Sequence, residues 1–266
     1  MTDDAWAGGQ VTPRATCVLA PNPGPLTLEG TNTWVLREPG SAQAIVVDPG
    51  PDDLDHLTAV RDAVRDVGAA VVLTLLTHGH EDHAAGARTF AGLTGCAVRA
   101  ADPRRVLGAE GLVDGEVIQL AGGLELAVVA TPGHSGDSLS FQLPADSALL
   151  TGDTILGRGT ALVAHPDGRL VDYLSSLRDL ARLIDESPIA VVLPGHGPVV
   201  RDPSGTVAYY RRHRQDRLTQ VRAAVARGAD TVDDVLAIVY ADVPRDLWPA
   251  AALSVAAQLE FLREES

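Results

Sequence analysis

The sequence predicts a layered α/β protein followed by a small helical domain, and three observations support this prediction. Up to about residue 200, short β-branched runs alternate with Gly, Pro and Asp turns. Several of these runs are continuously apolar, which is typical of strands whose sheet is covered on both faces. Beyond residue 203 the pattern changes to long helical segments. We therefore predict two domains, 1–204 and 205–266.

The individual elements follow from the same patterns. Strands are predicted at 33–37, 44–48, 71–77, 97–101, 124–130, 138–142, 148–151 and 189–193. Helices are predicted in the first domain at 53–67, 84–93 and 172–186. The second domain is predicted to hold a helix at 206–227, a helix opened by Thr231 with Asp234 three residues on, and a helix from about Pro249 to residue 263.

Composition narrows the classes of function. The chain has 266 residues, a net charge of −14 and no lysine, which disfavours nonspecific binding to nucleic acid. It carries only two cysteines, Cys17 and Cys96, too few for a disulfide framework. The acidic start lacks the features of a secretory signal, and no apolar run approaches the roughly 18 residues of a membrane span. We expect a cytoplasmic protein without a membrane segment.

The strongest motif follows the apolar run 71–76 and reads Thr77-His78-Gly79-His80-Glu81-Asp82-His83. A strand that ends in such a turn presents several imidazole and carboxylate groups at one sheet edge, and zinc, iron and manganese accept these ligands. Without a ligand, so many polar groups beside a buried strand would cost free energy. The motif predicts a metal site, and the alternative is a solvated turn that happens to be rich in histidine.

Three later segments share one pattern, an apolar strand that ends in a polar residue next to glycine. They place His134 after Thr131-Pro132-Gly133, Asp153 after Thr151-Gly152, and His196 after Pro194-Gly195. Glycine lets the backbone approach a ligand closely, and loops that follow strands commonly carry sites. Each segment alone is a weak signal, but together with the first motif they supply seven potential metal donors.

With these segments the sequence resembles the metallo-β-lactamase superfamily, and the resemblance extends over residues 15–200. It implies a four-layer αββα sandwich and a site for two divalent metal ions, with zinc expected. By this resemblance, His78, His80 and His134 bind the first metal, and Asp82, His83 and His196 bind the second. Asp153 is expected to bridge both.

Such a metal pair lowers the pKa of a shared water toward neutrality, so the expected chemistry is hydrolysis by a metal-bridging hydroxide. Asp82 has a second carboxylate oxygen that is free to carry a proton. It is therefore the candidate for the catalytic acid and base.

Further segments narrow the resemblance to the lactamase-like 2 group, which has a winged-helix-like C-terminal domain. They are Asn22-Pro23-Gly24, Thr31-Asn32-Thr33-Trp34, Gly157-Arg158-Gly159-Thr160 and Ile238-Val239-Tyr240-Ala241-Asp242-Val243-Pro244. This group includes an endoribonuclease that cuts single-stranded RNA, and similar proteins release acyl chains from carrier proteins as thioesterases. Antibiotic hydrolysis is not expected, because secreted β-lactamases of the superfamily have a cysteine where this chain has Asp153.

Two hydrolase functions therefore stay open, cleavage of single-stranded RNA and hydrolysis of a small-molecule or carrier-bound thioester. The predicted helix 206–227 places Arg211, Arg214, Arg217 and Arg222 on one broad face, which is either a phosphate-binding stripe or a solvated surface. Residues 250–261 hold no arginine, so readout of duplex DNA is not expected. The alternative from another class is a metal-stabilised scaffold that binds a partner through the C-terminal domain. The sequence leaves the oligomeric state open.

A few single residues carry weaker predictions. Arg158 follows Asp153 closely and is expected to meet either an anionic substrate group or a nearby acid. We expect His56 and His213 at the surface. Tyr173 and Trp248 are expected to act as packing anchors.

Overall fold

The computed structural model describes residues 5–120 and 122–265 and has two β-sheets that pack face to face between helices. The first sheet has the order β1-β2-β3-β4-β5-β6, comprising Gly9–Gln10, Ala15–Leu19, Asn32–Leu36, Gln43–Val47, Ala70–Leu75 and Ala97–Arg99. The second sheet has the order β11-β10-β9-β8-β7, and in chain order β7 to β11 comprise Val117–Gln119, Glu125–Ala130, Leu139–Leu143, Ala148–Gly152 and Val191–Pro194.

The central strands are buried on both faces, as their apolar sequences predict. Trp34 and Ile45 belong to the core between the two sheets, whereas their neighbours Val35 and Val46 pack with the helices α1 (Leu54–Asp66) and α3 (Ala87–Thr94). This alternation follows from the two-residue period of a strand. The outer face of the second sheet is covered by α4 (Leu170–Glu186). The layers therefore run helix, sheet, sheet, helix, and the predicted αββα sandwich is confirmed.

The helix predicted at 84–93 is instead two helices, α2 (Glu81–Ala84) and α3, separated at Gly86. Gly86 donates its N–H to the carbonyl of Gly50 at 3.0 Å. A Cβ at this position would lie 2.7 Å from the carbonyl oxygen of Pro51. The loop after β4 therefore presses against the chain here, and this tertiary contact interrupts a segment whose sequence is compatible with one helix.

Strands β1, β2 and β7 were not predicted from the sequence. β1 has two residues and β7 has three, which is too short for an alternating pattern to show. β2 pairs along its whole length with β3, from Ala15 opposite Leu36 to Leu19 opposite Asn32. Pairing with a neighbouring strand rather than a strong local signal therefore defines it.

The C-terminal region consists of α5 (Pro203–Val225), α6 (Val232–Val239) and α7 (Trp248–Glu264). Thr231 caps α6 as predicted, accepting from the N–H of Asp234 at 3.1 Å. α5 joins the two regions, because its Tyr210 packs in the core beneath α4 whereas its Val221 packs with α6 and α7. The domain boundary between residues 204 and 205 stays a prediction.

Two further features concern the whole described chain. None of the described helices combines the length and the apolar composition that a membrane crossing requires. Cys17 and Cys96 are both buried and free.

Candidate metal centre

The structure brings the seven predicted donors together at one edge of the sandwich. They follow the C-terminal end of β5 in the first sheet and the C-terminal ends of β8, β10 and β11 in the second. Glycine makes this approach possible: a Cβ at Gly195 would lie only 2.3 Å from Asp153 Oδ1 and 2.7 Å from His83 Cε1. The donors are His78, His80, Asp82, His83, His134, Asp153 and His196.

Three histidines form the first donor set. His78 Nε2 and His134 Nε2 lie 3.1 and 3.0 Å from His80 Nδ1. His78 and His134 are buried, whereas the His80 side chain is 38% exposed. The three nitrogens thus face a common point that solvent reaches from the side of His80.

The outward-facing nitrogens of these rings all have acceptors. His134 Nδ1 donates to the carbonyl of Leu162 at 2.7 Å, and His80 Nε2 donates to Asp167 Oδ2 at 2.9 Å. His78 Nδ1 lies 3.0 Å from Thr77 Oγ1, whose own proton is directed to a carboxylate. We assign the tautomers from these partners. All three inward nitrogens then carry lone pairs, and neutral lone pairs 3 Å apart repel one another unless a cation lies between them.

The second donor set consists of Asp82, His83 and His196, with Asp153 beside it. His196 Nε2 lies 3.1 Å from Asp82 Oδ2, 3.2 Å from Asp153 Oδ2 and 3.2 Å from His83 Nε2. Asp153 also lies 3.7 Å from His134 Nε2 of the first set. Its carboxylate is therefore between the two sets.

Asp48 was not predicted as a functional residue, although it follows β4 in the same way as the predicted donors follow their strands. Its buried carboxylate accepts from the N–H and Oγ1 of Thr77 at 2.8 and 2.6 Å and from His83 Nδ1 at 2.8 Å. The segment Val47-Asp48-Pro49-Gly50 is an apolar strand ending in a polar residue near glycine, so the signal was present. Asp48 orients His83 and leaves its Nε2 facing the donor set.

Burial and neighbouring charges shift the pKa values of the buried histidines in the two donor sets in opposite directions. Burial lowers the pKa of His78 and of His134. Burial has the same effect on His83 and His196, but nearby carboxylates, above all Asp153, outweigh it. They raise the pKa of His196 to about 9 and that of His83 well above its usual value. Burial opposes ionisation of Asp153, yet His196 and His83 hold its pKa well below the ordinary range. The second set therefore attracts positive charge, as protons or as a metal ion.

The residues fit a pair of divalent cations by their donor chemistry. Imidazole nitrogens and carboxylate oxygens are the ligands of zinc and related metals. Within each of the sets His78, His80, His134 and Asp82, His83, His196, the donor atoms all lie within 4.8 Å of one another. Asp153 Oδ1 is buried without a hydrogen-bond partner, and its contact with His83 Nε2 is as long as 3.4 Å, although an unsatisfied carboxylate oxygen is costly. A bound cation would satisfy both this oxygen and the converging lone pairs.

The loop after Asp153 is held from outside by buried side chains of α4 and α5. Tyr173 donates its hydroxyl to the carbonyl of Thr154 at 2.7 Å, and the Tyr210 hydroxyl accepts from the N–H of Leu156 at 2.8 Å. Arg214 donates to the carbonyl of Ala161, next to the Leu162 carbonyl that orients His134. The C-terminal helix α5 therefore fixes a loop that contacts the donor set.

A cavity of about 530 Å³ opens above the donors. His80, Asp82, His134, Asp153 and His196 line its base. Much of its wall is apolar and comes from both regions of the chain, including Leu26, Leu28, Leu162, Val243, Leu247 and Ala250. The size is within the range of small-molecule sites.

The predicted arginine face is not a continuous solvated stripe. Arg211 is exposed, but Arg214 is buried and lies over the ring of Tyr173. Arg217 lies over the ring of Tyr240, with its Cζ 4.7 Å from the centroid. Arg222 forms an ion pair with Glu265. The row of solvated arginines is interrupted because the turn of α5 that carries Arg214 and Arg217 packs against α4 and lines the cavity.

Other single-residue predictions have mixed outcomes. His56 is not at the surface but buried, with Nε2 3.0 Å from Thr33 Oγ1. His213 is half-buried and lines the cavity. Arg158 meets an acid, Glu29, at 2.6 Å. Tyr173 is fully buried, as expected of a packing anchor.

Comparison with known families agrees with this fold and site. The family model of the metallo-beta-lactamase superfamily matches residues 26–196, and that of the beta-lactamase associated winged helix domain matches residues 231–266. The chain therefore belongs to the metallo-β-lactamase superfamily and is a hydrolase of that fold with a C-terminal winged-helix domain.

Individual relatives can be named more closely. The chain is 32% identical to the Beta-lactamase-like protein 2 homolog of Drosophila melanogaster, over 93% of this chain and 87% of the relative. It is 33% identical to the atrochrysone carboxyl ACP thioesterase of Aspergillus chevalieri, over 90% of this chain and 77% of the relative. A crystal structure of a metallo-beta-lactamase family protein from Thermus thermophilus has a TM-score of 0.79 and 24% identity, covering 95% of this chain and 94% of that one.

Proposed function

We propose that this protein is a dinuclear metal-dependent hydrolase of acyl thioesters. In this proposal His78, His80 and His134 would hold one divalent cation, Asp82, His83 and His196 would hold a second, and Asp153 would contribute its carboxylate to both. The observation that carries the choice of substrate is the cavity, whose largely apolar wall ends on these donors. Zinc is the proposed metal because the donors are nitrogen and carboxylate oxygen.

Bound divalent cations supply Lewis acidity, which lowers the pKa of water toward neutrality and polarises an acyl carbonyl. Hydrolysis forms a C–O bond from water to the acyl carbon and breaks the C–S bond. One proton leaves the water and one reaches the sulfur. Asp82 is the proposed carrier, because it lines the cavity and its side chain is 30% exposed. Burial would raise the pKa of Asp82, but the hydrogen bond with His196 outweighs this effect and lowers it.

The cavity wall favours an acyl chain over RNA. An acyl thioester needs an apolar surface for its chain, whereas single-stranded RNA needs cations along the backbone and aromatic faces for its bases. Arg158 lines the cavity five residues after Asp153 but is paired with Glu29, and the aromatic face of Tyr240 is covered by Arg217. The charge of Arg158 is therefore already compensated, and the Tyr240 ring is not open to stacking by a base. The name of the Aspergillus relative, a thioesterase, supports the same substrate class.

The proposed location is the cytoplasm. Cys17 and Cys96 are free, and buried free thiols are compatible with a reducing compartment.

The test is a substrate panel on metal-loaded protein whose metal content has been measured. The panel holds acyl thioesters of N-acetylcysteamine, single-stranded RNA and a lactam. We expect thioester hydrolysis that falls by at least about 100-fold in Asp153→Ala, because a bridging carboxylate is lost. Asp62→Ala, an acid on the surface of α1, is the control and should leave activity unchanged.

Two other outcomes of the substrate panel would contradict the proposal. Cleavage of RNA without thioester hydrolysis would assign the phosphodiester substrate instead. A metal-loaded protein that is inert on the whole panel would favour the scaffold alternative.

A further inference from the structure

Arg214 is a buried cation in the wall of the cavity. Among the described residues it is the one buried arginine, with 4% of its surface exposed. Its guanidinium carbon lies 5.0 Å from the ring centroid of Tyr173, and it donates to the carbonyl of Ala161. Arg214 lies on the cavity that ends on Asp153 and His134. Its charge is therefore held in place beside the proposed substrate position.

No carboxylate in the described part of the chain forms an ion pair with Arg214, and its buried Nε has no hydrogen-bond partner. A buried charge is costly unless an opposite charge compensates it. Arg217, one turn further along α5, also lines the cavity. Its hydrogen bonds go to Gln220 Oε1 and to the carbonyl of Val239, again without a carboxylate. One wall of the cavity therefore carries two guanidinium groups that the described protein does not neutralise.

The electrostatics of His213 are consistent with the positive charge that Arg214 and Arg217 give to this wall of the cavity. His213 lies beside Arg214 on α5 and also lines the cavity. Burial, and then the charges of Arg214 and Arg217, lower the pKa of His213 to about 4, while Asp216 acts weakly in the opposite direction. The imidazole is therefore neutral near pH 7, and the arginines alone supply the positive charge. This local charge contrasts with the net charge of −14 of the whole chain.

We propose that Arg214, assisted by Arg217, forms a carboxylate-binding subsite that selects acyl thioesters carrying a second carboxylate on the acyl chain. A guanidinium presents paired N–H donors that match the two oxygens of a carboxylate. The apolar wall contacts the methylene groups between the carboxylate and the thioester. This inference rests on the proposed thioester hydrolysis and adds the class of acyl group to it.

The experiment compares matched thioesters that differ only in the terminal carboxylate. Hexanedioyl and hexanoyl thioesters of N-acetylcysteamine form one pair, and octanedioyl and octanoyl thioesters form the other. In the unmodified protein we expect kcat/KM to be higher for the better dicarboxylic member by about tenfold or more. Arg214→Met should remove this preference, Arg214→Lys should keep part of it, and Arg217→Met should reduce it.

The ratio within each pair separates binding from structural damage. Loss of the contact to Ala161 would disturb the loop next to His134 and lower both rates together, leaving the ratio unchanged. Arg222→Met is the matched control, because Arg222 lies on the same helix but pairs with Glu265 at the surface. If Arg214→Met does not fold, Arg214→Lys and Arg217→Met still test the ratio.

Calorimetric binding of hexanedioate and hexanoate distinguishes this proposal from the proposed function. If no thioester is hydrolysed but hexanedioate binds more tightly than hexanoate, and Arg214→Met abolishes the difference, the subsite stands and the thioesterase activity is wrong. If thioesters are hydrolysed without preference for a second carboxylate, and both acids bind equally, the subsite is wrong.

Discussion

Replacing Asp48 by asparagine tests whether this buried carboxylate controls metal binding. The carboxylate accepts from the Thr77 N–H and hydroxyl and from His83 Nδ1, at 2.8, 2.6 and 2.8 Å. Asparagine has nearly the same shape but carries two N–H donors in place of one acceptor oxygen. Whichever way the amide is turned, at least one of the three donors faces another donor.

This mismatch between two donors should destabilise the folded protein. Leaving a buried donor unsatisfied costs about 1–3 kcal/mol of folding free energy. Because His83 also loses part of the contact that fixes its tautomer and orientation, we expect affinity at the Asp82, His83 and His196 set to fall by about 10–100-fold. The set of His78, His80 and His134 should bind its metal with less change, because none of those rings contacts Asp48 directly in a hydrogen bond.

The assay is equilibrium dialysis in buffered free zinc, with metal counted per chain and stability measured by urea unfolding. Asp146→Asn is the matched control, because Asp146 has a side chain 1% exposed and accepts from Arg14, on another part of the fold. It should cost stability without changing metal affinity. If Asp48→Asn binds both metals as tightly as the unmodified protein, or if Asp146→Asn weakens binding equally, the assigned role of Asp48 is wrong.

Three further predictions follow from the packing. Gly195→Ala should lower the zinc content at limiting metal, because the added Cβ would displace Asp153 and His83. In the control Gly92→Ala, where a Cβ meets nothing within 4 Å, the metal should be kept and the stability should rise by up to about 1 kcal/mol. Equal zinc content in the two variants would contradict this prediction. Tyr210→Phe should cost about 1–3 kcal/mol in urea unfolding, because the buried Leu156 N–H loses its acceptor, and an unchanged midpoint would refute it. The pKa of His213 is lowered in the folded protein, so the unfolded state takes up a proton first and the unmodified protein loses stability as the pH falls from about 6.5 toward 4. His213→Gln removes this titrating group, so the variant should lose less stability over the same pH range. Parallel pH profiles for the two proteins would exclude this.

Much of the fold was predictable because strong local signals and tertiary structure agree. Continuous apolar strands predicted a doubly covered sheet, and the capping pattern at Thr231 located the start of α6. The break at Gly86 was not predictable, because it depends on the backbone of the loop near Pro51, which is distant in sequence. The same applies to β2, which depends on pairing with β3.

The candidate site was predictable for donors set in glycine motifs and less so for the residues that orient them. Asp48 followed the same pattern of an apolar strand, a polar residue and a nearby glycine, but it lies outside the motifs that the family resemblance matches. Arg214 and His213 were misjudged because a run of arginines on a helix indicates a solvated face. Their burial depends on how α5 packs on α4 and the loop after Asp153, and sequence spacing does not encode that packing.

The division of the donors between the two sheets has a thermodynamic consequence. His78, His80, Asp82 and His83 follow a strand of the first sheet, whereas His134, Asp153 and His196 follow strands of the second. Each proposed metal would therefore tie together parts of the chain on either side of the loop between β6 and β7. Metal binding and closure of the sandwich are then linked equilibria, so free zinc should strengthen the association of the two halves even if that loop were cut.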